Sequence, residues 1–448
     1  MLKAFANSFK IPELRKRVLV TLGLIAVYRA GAFIPLPGID GHALAEFFNR
    51  MTEQVGGTLF SLMDLFSGGG LSSMTIFALG IMPAITASII MQLLVPVFPK
   101  LEQMVREEGE SGRRKYNQWT RYLTVGLGLM QSLFISLMLE NPANFAGQVM
   151  VQDPGWAFRL VTIITLTSGT AFIMWLGEQI TAFGIGNGMS ILITAGILSA
   201  VPTALRQFWK LANPMLPSPQ IPLATTLFMV VMLVGVVLAI IAITQASRRV
   251  PIQYARRVVG RKVYGGQTSY MPIKVNAAGV LPIIFAQSFI MLPATLFGFT
   301  QIAFFNKIGQ MLSEGGAIYM VFYPALIIFF AYFYAVIQLN PIHMAEDMKK
   351  YGGFVPGVRP GKATAEFFDR LITRITLPGA VFLAIIAVIP TVISGWLGIP
   401  YLVASFFGGT SLLIIVGVIL DTLRQAESFL LMRNYEGFLT RGRLRARR

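Results

Sequence analysis

The residues of this chain that could do chemistry are few, and their spacing suits none of the usual reactions. There is no cysteine and there are two histidines, so thiolate and disulfide chemistry are absent and a histidine-rich metal site lacks ligands. His42 and His343 both fall in connections between apolar segments, Glu140, Glu178 and Asp421 stand at segment ends, and Arg29 is the one cation well inside a segment. An ion-coupled transporter ordinarily keeps acidic or paired charges at mid-span. An intramembrane enzyme needs a positioned Asp, His or Ser pair, and only isolated Ser and Thr are available. The run Gly184-Ile185-Gly186-Asn187-Gly188 has the glycine density of a nucleotide-binding loop. It follows an apolar span rather than a strand and lacks a βαβ context, so that reading is rejected. No catalytic residue, metal site or cofactor site is expected, and the intramembrane surface reads as chemically inert.

The elements that would position any site are long apolar runs. Hydrophobic residues make up 55% of the chain and charged residues 13%. Met74–Phe98, Ile221–Ser247, Val275–Phe305 and Ala317–Ala345 contain no Asp, Glu, Lys or Arg. A helix needs about 20 apolar residues to cross about 30 Å of hydrocarbon, whereas a β-barrel shows alternating segments of about 10. Ten helical spans are expected, near Val18–Leu36, Met74–Val97, Tyr122–Leu139, Leu160–Leu176, Ile185–Val201, Pro222–Thr244, Val275–Phe297, Ala317–Leu339, Ile375–Ile393 and Leu402–Leu420. Pro83, Pro282, Pro293, Pro324, Pro378 and Pro390 lie inside them and read as kinks.

All of the 37 Lys and Arg residues except Arg29, Arg50, Arg159, Arg206, Lys210 and Lys307 fall in one alternate set of connections and tails. Cationic loops are retained in the cytoplasm, so both termini are expected there and the protein is read as polytopic. The net charge of +17 then reflects topology and cytosolic or anionic-lipid partners. The basic N-terminus carries no small-residue cleavage site and reads as a retained tail, residues 1–17.

Three connecting stretches invite structure. Thr58–Ser73 is too short to span and too apolar for a free loop. It ends in Gly68-Gly69-Gly70, read as a flexible break, and a helix folded back into the protein or one lying at the interface would both suit it. Ser247–Lys274 reads as a β-hairpin across Gly265-Gly266, carrying cations outward. Arg359 sits between Pro356-Gly357 and Pro360-Gly361, a spacing that presents its guanidinium on a turn.

Five runs carry a resemblance. They are Phe77–Pro83 with Gln92-Leu93-Leu94, Trp175–Thr181 with Ile185–Ser190, Glu108–Arg114, Phe354–Gly361 and Phe407–Ile414. Together they resemble the signatures of the SecY family, the central subunits of the bacterial protein-conducting translocon, over nearly the whole chain. The resemblance implies an all-α membrane protein with ten transmembrane helices in two pseudo-symmetric inverted five-helix halves, residues 18–203 and 222–423, around a central pore. Residues 204–221 would form an external connection, 247–274 and 340–374 cytoplasmic loops, and 424–448 a basic cytoplasmic tail.

The resemblance also implies a passive channel for unfolded secretory polypeptides that opens sideways into lipid. Its pore ring falls on Ile81, Ile85, Met189, Ile193, Ile284 and Ile414, with Met189 departing from the family's commoner isoleucine. Its plug falls on 58–73, including Leu65, Phe66, Gly68, Gly69 and Gly70, with the glycines as hinge. Its lateral gate runs between the second and third spans on one side and the seventh and eighth on the other, with Gln92 and Asn276 at its polar positions. Arg261, Lys262 and Arg359 match positions that dock the ribosome or the motor ATPase SecA. Small membrane subunits of the SecE and SecG type, signal-sequence-bearing polypeptides and membrane lipids complete the implied partners. The spacing is compatible with the ring: Ile81/Ile85 and Met189/Ile193 are i,i+4 pairs on one helix face each.

Overall fold

The computed structural model describes residues 11–442 apart from 42, 45–46, 48–63, 146, 213–220, 255–256, 260–261, 265–267 and 299–316. His42, Arg261, the first part of the 58–73 segment and the Gly265-Gly266 pair lie outside the described residues.

Each expected span contains helix. The helices are α1 Pro12–Gly31, α2 Met82–Leu94, α3 Pro99–Arg106, α4 Gly109–Glu140, α5 Trp156–Phe183, α6 Gly188–Ala212 and α7 Leu223–Gln245. Strands β1 Ser247–Tyr254, β2 Arg257–Val259, β3 Lys262–Tyr264 and β4 Thr268–Lys274 follow, then α8 Leu281–Gly298, α9 Ala317–Leu339, α10 Pro341–Lys350, β5 Gly353–Phe354, α11 Lys362–Leu397, α12 Tyr401–Gly408 and α13 Thr410–Gly442. Among the described residues, six helices are long and apolar enough to cross a membrane alone, and two bent pairs, α2 with α3 and α12 with α13, bring the number to eight if each pair is one span. Prolines start many of these helices: Pro12, Pro83, Pro99 and Pro341 stand in first turns, where a missing N–H leaves nothing unsatisfied.

The second and seventh spans are shorter as helices than the hydropathy suggests. Met74–Ile81 is a chain of turns, with Gly80 at φ +56 and Met74 at φ +41. The next chain break comes at Pro99, where the axis turns through 107°. Conversely, α6 runs on through Pro202 to Ala212, so helix replaces the first part of the expected 204–221 connection.

The order of neighbours is the same in the two halves. In the first, α2 packs on α4, α4 on α5, and α5 on α6; in the second, α8 packs on α9, α9 on α11, and α11 on α12 and α13. The halves meet along two seams, α2 against α8 and α6 against α12 and α13. Two ion pairs bolt α4 to α5 at opposite ends. Arg121 grips Glu178 with two bonds of 2.8 and 2.7 Å, and Arg159 reaches Glu140 at 2.8 and 2.6 Å. The span-end carboxylates Glu140 and Glu178 are thus structural partners of arginine.

The 247–274 connection is a hairpin of antiparallel strands, and the expected turn at Gly265-Gly266 lies outside the described residues. The inner strands β2 and β3 pair from Arg257↔Tyr264 to Val259↔Lys262. Outside this inner pair, β1 pairs with β4 from Ser247↔Lys274 to Gln253↔Thr268. The other edge of β1 takes β5 at Gln253↔Phe354, so the two long basic connections share one sheet. A second apolar core under it includes Val250, Ile252, Ile273, Met348, Val355 and Phe368.

Close backbone packing rests on particular glycines. A Cβ on Gly169 of α5 would lie 2.0 Å from the carbonyl oxygen of Ile76, whereas one on Gly126 of α4 would meet open space. Gly169→Ala is expected to cost about 1–3 kcal/mol through forced displacement, and Gly126→Ala to be neutral or mildly stabilising. Melting of the two purified variants in detergent checks this; indistinguishable midpoints would contradict the packing described.

Candidate functional site

The six expected ring residues come from the helices that make the two seams. Ile81 immediately precedes α2 and Ile85 lies one turn into it. Ile284 is on α8, Met189 and Ile193 are one turn apart on α6, and Ile414 is on α13. Ile81, Ile85, Ile193, Ile284 and Ile414 are buried, and all five belong to one continuous apolar cluster against which the half-buried Met189 packs. An aliphatic girdle makes no directional bonds, so it can part and close around chains of any sequence, and when closed it excludes water and ions. Met189 is held from behind by Gly177 of α5, where an added Cβ would stand 2.7 Å from its Sδ.

Polar surface begins next to this cluster on the basic face. A cavity of about 280 Å³ is lined by Asn187 just before α6, by Ser190 of α6, and by Lys274, Asn276, Gln338 and Arg424 from the second half. Its lining residues Ser190 and Leu413 are chain neighbours of Met189 and Ile414. Of the two polar gate positions, Asn276 is buried and its amide donates to the carbonyl of Gly279 at 3.0 Å, within its own turn. Gln92 is half-buried on α2, and the two side chains are not joined to each other.

The glycine-rich run 184–188 forms the joint between α5 and α6. Its amides are already taken: Ile185 N–H donates to Thr21 Oγ1, Gly186 N–H to Gln425 Oε1 and Gly188 N–H to Thr181 Oγ1, at 2.9–3.1 Å. Arg17 donates to the Gly184 carbonyl at 3.1 Å. With those donors used by α1, α5 and α13, the loop holds none of them out for a phosphate. Gly188 is required because a Cβ there would overlap the Gly177 carbonyl.

Residues 64–73 are folded into the protein, not laid on its surface. Leu65, Phe66, Ser67 and Leu71 are buried, and the three apolar ones belong to the same cluster as the ring positions. The expected flexible break at Gly68–Gly70 is instead a bonded loop. Gly69 N–H donates to the Asp64 carbonyl, Ser72 N–H to Asp64 Oδ1 at 2.7 Å and Leu71 N–H to Ser67 Oγ at 3.0 Å. Gly68 and Gly69 sit at φ +70 and +86, the left-handed region that only glycine enters freely. Composition could not reveal this, because the bonding partners that tie the loop lie up to eight residues away or on other helices.

Of the three docking positions, Arg261 lies outside the described residues and Lys262 begins β3. Arg359 is exposed on its turn, with Gly357 and Gly361 at φ +82 and +102 on either side. Its carbonyl accepts a bond from Thr364 Oγ1 at 2.8 Å, and Val355 and Val358 root the turn in the core beneath the sheet.

Desolvation pushes the Asp64 carboxyl above the usual range, against the bonds it accepts from Ser72. A carboxyl that holds its proton more tightly folded than unfolded favours the fold at low pH, and that contribution is lost as pH rises above the ordinary carboxylate pKa. Asp64→Asn keeps the acceptor without the charge. It should melt at or above the parent at pH 7, with the difference shrinking toward pH 4; the opposite trend in detergent melting would contradict the assignment.

A model of the SecY family matches residues 75–423. Among curated relatives, the protein translocase subunit SecY of Streptomyces coelicolor is 45% identical over 448 residues, covering 98% of this chain and 100% of its own length. Those of Thermus thermophilus and Aquifex aeolicus are 44% and 42% identical, with 100% and 97% of this chain covered and 100% and 98% of theirs. Among solved structures, one described as a protein conducting channel superposes with a TM-score of 0.63 at 18% identity, covering 94% of this chain and 96% of its own. The Sec61 channel of a canine ribosome–channel complex gives 0.60 at 16% identity, with the same shares covered. The fold is that of these channels, and the chain belongs to the SecY family.

Proposed function

We propose that this protein is the channel through which unfolded secretory polypeptides cross the membrane, and from which membrane segments leave sideways into lipid. The observation that carries the reading is the seam architecture: aliphatic residues from α2, α6, α8 and α13, the helices at which the halves meet, are buried in one apolar cluster beside a polar cavity. Nothing in such a girdle selects for sequence, which suits a substrate defined by being unfolded. Ile81, Ile85, Met189, Ile193, Ile284 and Ile414 form the constriction, and residues 64–73, with Leu65 and Phe66 inward, plug it. The lateral gate is the α2–α8 seam, flanked by α4 and α9, with Gln92 and Asn276 as its polar members. The protein catalyses no reaction of its own, so the work of translocation comes from outside.

The partners in this reading are the ribosome and SecA on the basic face, met by Lys262, Arg261 and Arg359, and SecE- and SecG-type subunits in the membrane. Solved relatives include ribosome-bound channels, which supports the ribosome as a partner. The host membrane is the bacterial cytoplasmic membrane, with both termini in the cytoplasm, as the distribution of cations implies.

Photocrosslinking probes at Ile193 and Ile414 are expected to capture a stalled secretory precursor in cells, and a probe at the outward-facing Leu238 is expected not to. Capture at none of these, with a precursor engaged, would remove the ring assignment. Arg359→Glu reverses an exposed charge without touching the core. It should abolish SecA-driven export, measured by precursor processing, while the protein stays inserted; normal export would count against docking at this turn.

A further inference from the structure

We infer that Tyr28, Arg29 and Ser199 form a latch on the carbonyls of Ser67 and Gly68, and that the channel opens only when this latch is released. The inference rests on the channel reading above and adds to it the residues that hold the buried segment shut.

Donors from two helices converge on two consecutive carbonyls. Tyr28 Oη of α1 donates to the Ser67 carbonyl at 3.2 Å, and Arg29 Nη1, next along α1, donates to the Gly68 carbonyl at 2.9 Å. Ser199 Oγ of α6 lies 3.1 Å from the same Gly68 oxygen and 2.6 Å from the Gly196 carbonyl, so its one hydrogen is shared between them. The chains are brought together by an absence of side chains. A Cβ on Gly68 would stand 3.0 Å from the Gly196 Cα, and a Cβ on Gly196 would stand 3.3 Å from the Phe66 oxygen. The loop presenting the carbonyls is itself braced by Asp64 and Ser67 through the bonds described above, so the latch grips a preformed shape.

Arg29 is the member that matters most. A permanent cation within a span is costly unless bonded, and among the described residues its partners are the Gly68 carbonyl and the face of Phe33, 5.2 Å away. A charge-assisted bond is roughly twice as strong as a neutral one. When residues 64–73 leave, this guanidinium loses its carbonyl and must be hydrated instead. Opening is therefore tied to water entering the pore: in a dry pore Arg29 holds the segment, and in a wet pore, with a polypeptide inserting, water replaces the carbonyl. The glycines at 68–70 then serve as the latch plate, and the segment pivots there only after the donors let go.

The test uses the full chain with its membrane subunits, reconstituted in vesicles, with halide leak read by an entrapped quenchable dye. Arg29→Gln should raise the resting leak about tenfold or more, as loss of a charge-assisted bond implies. Arg29→Lys, which keeps the cation, should bring it most of the way back. Tyr28→Phe combined with Ser199→Ala removes only hydroxyls and keeps the Tyr28 ring stacked near Phe77, at 6.0 Å; it should leak severalfold more than the parent and remain testable if Arg29→Gln accumulates poorly. In cells, both should export precursors with weakened signal sequences better than the parent does. Parental leak and parental export stringency in both variants, alongside normal export by the parent, would overturn the latch alone. A parent that passes no precursor at all would overturn the channel reading beneath it.

Discussion

Inside hydrocarbon an unpaired backbone N–H or C=O has no water to turn to and costs several kcal/mol. That constraint decides where this chain departs from helix and what must stand beside each departure. The turns of 68–81 are covered by Tyr28, Arg29, Ser67, Asp64 and Thr75. The turn at 184–188 is covered by Arg17, Thr21, Thr181 and Gln425. These polar side chains are committed to the protein's own main chain.

The same bookkeeping makes the two seams unequal. Along the α6 seam, the Gly186 amide reaches Gln425 of α13, and the guanidinium of Arg17 lies 4.8 Å from the centre of the Phe429 ring. These contacts cross from one half to the other with defined direction. On the α2–α8 side, Asn276 spends its amide on Gly279, and the buried ring positions there are aliphatic. Directional bonds resist sliding, whereas apolar contact is lost gradually as surfaces part. The first seam therefore resists sliding more than the second.

The basic connections gain a shared frame in the same economy. β5 adds to the free edge of β1, so the Arg359 turn and the 247–274 hairpin move together over one apolar core. β4 ends at Lys274, and Val275 N–H bonds the Ala246 carbonyl at 2.9 Å. The sheet is thereby bonded directly to the start of the seventh span, two residues from Asn276.

Length and hydropathy alone were enough to reveal a polytopic helical membrane protein, because that feature depends on composition averaged over about 20 residues. The motifs of 77–83, 175–190 and 354–361 also identified the family from sequence order. What the sequence could not disclose depends on residues far apart in the chain. Arg29 reads as an isolated buried cation until Gly68 is placed against it. Gly68–Gly70 reads as a loose break until Asp64 and Ser199 bond it, and Glu140 and Glu178 read as stray carboxylates until Arg159 and Arg121 are placed beside them. The register of β2 on β3, Val259↔Lys262, is likewise set by pairing across the ladder and not by the strongest local turn signal. Periodicity and charge are local sums that a linear reading can make, whereas the partner of a hydrogen bond is known only once the helices have met.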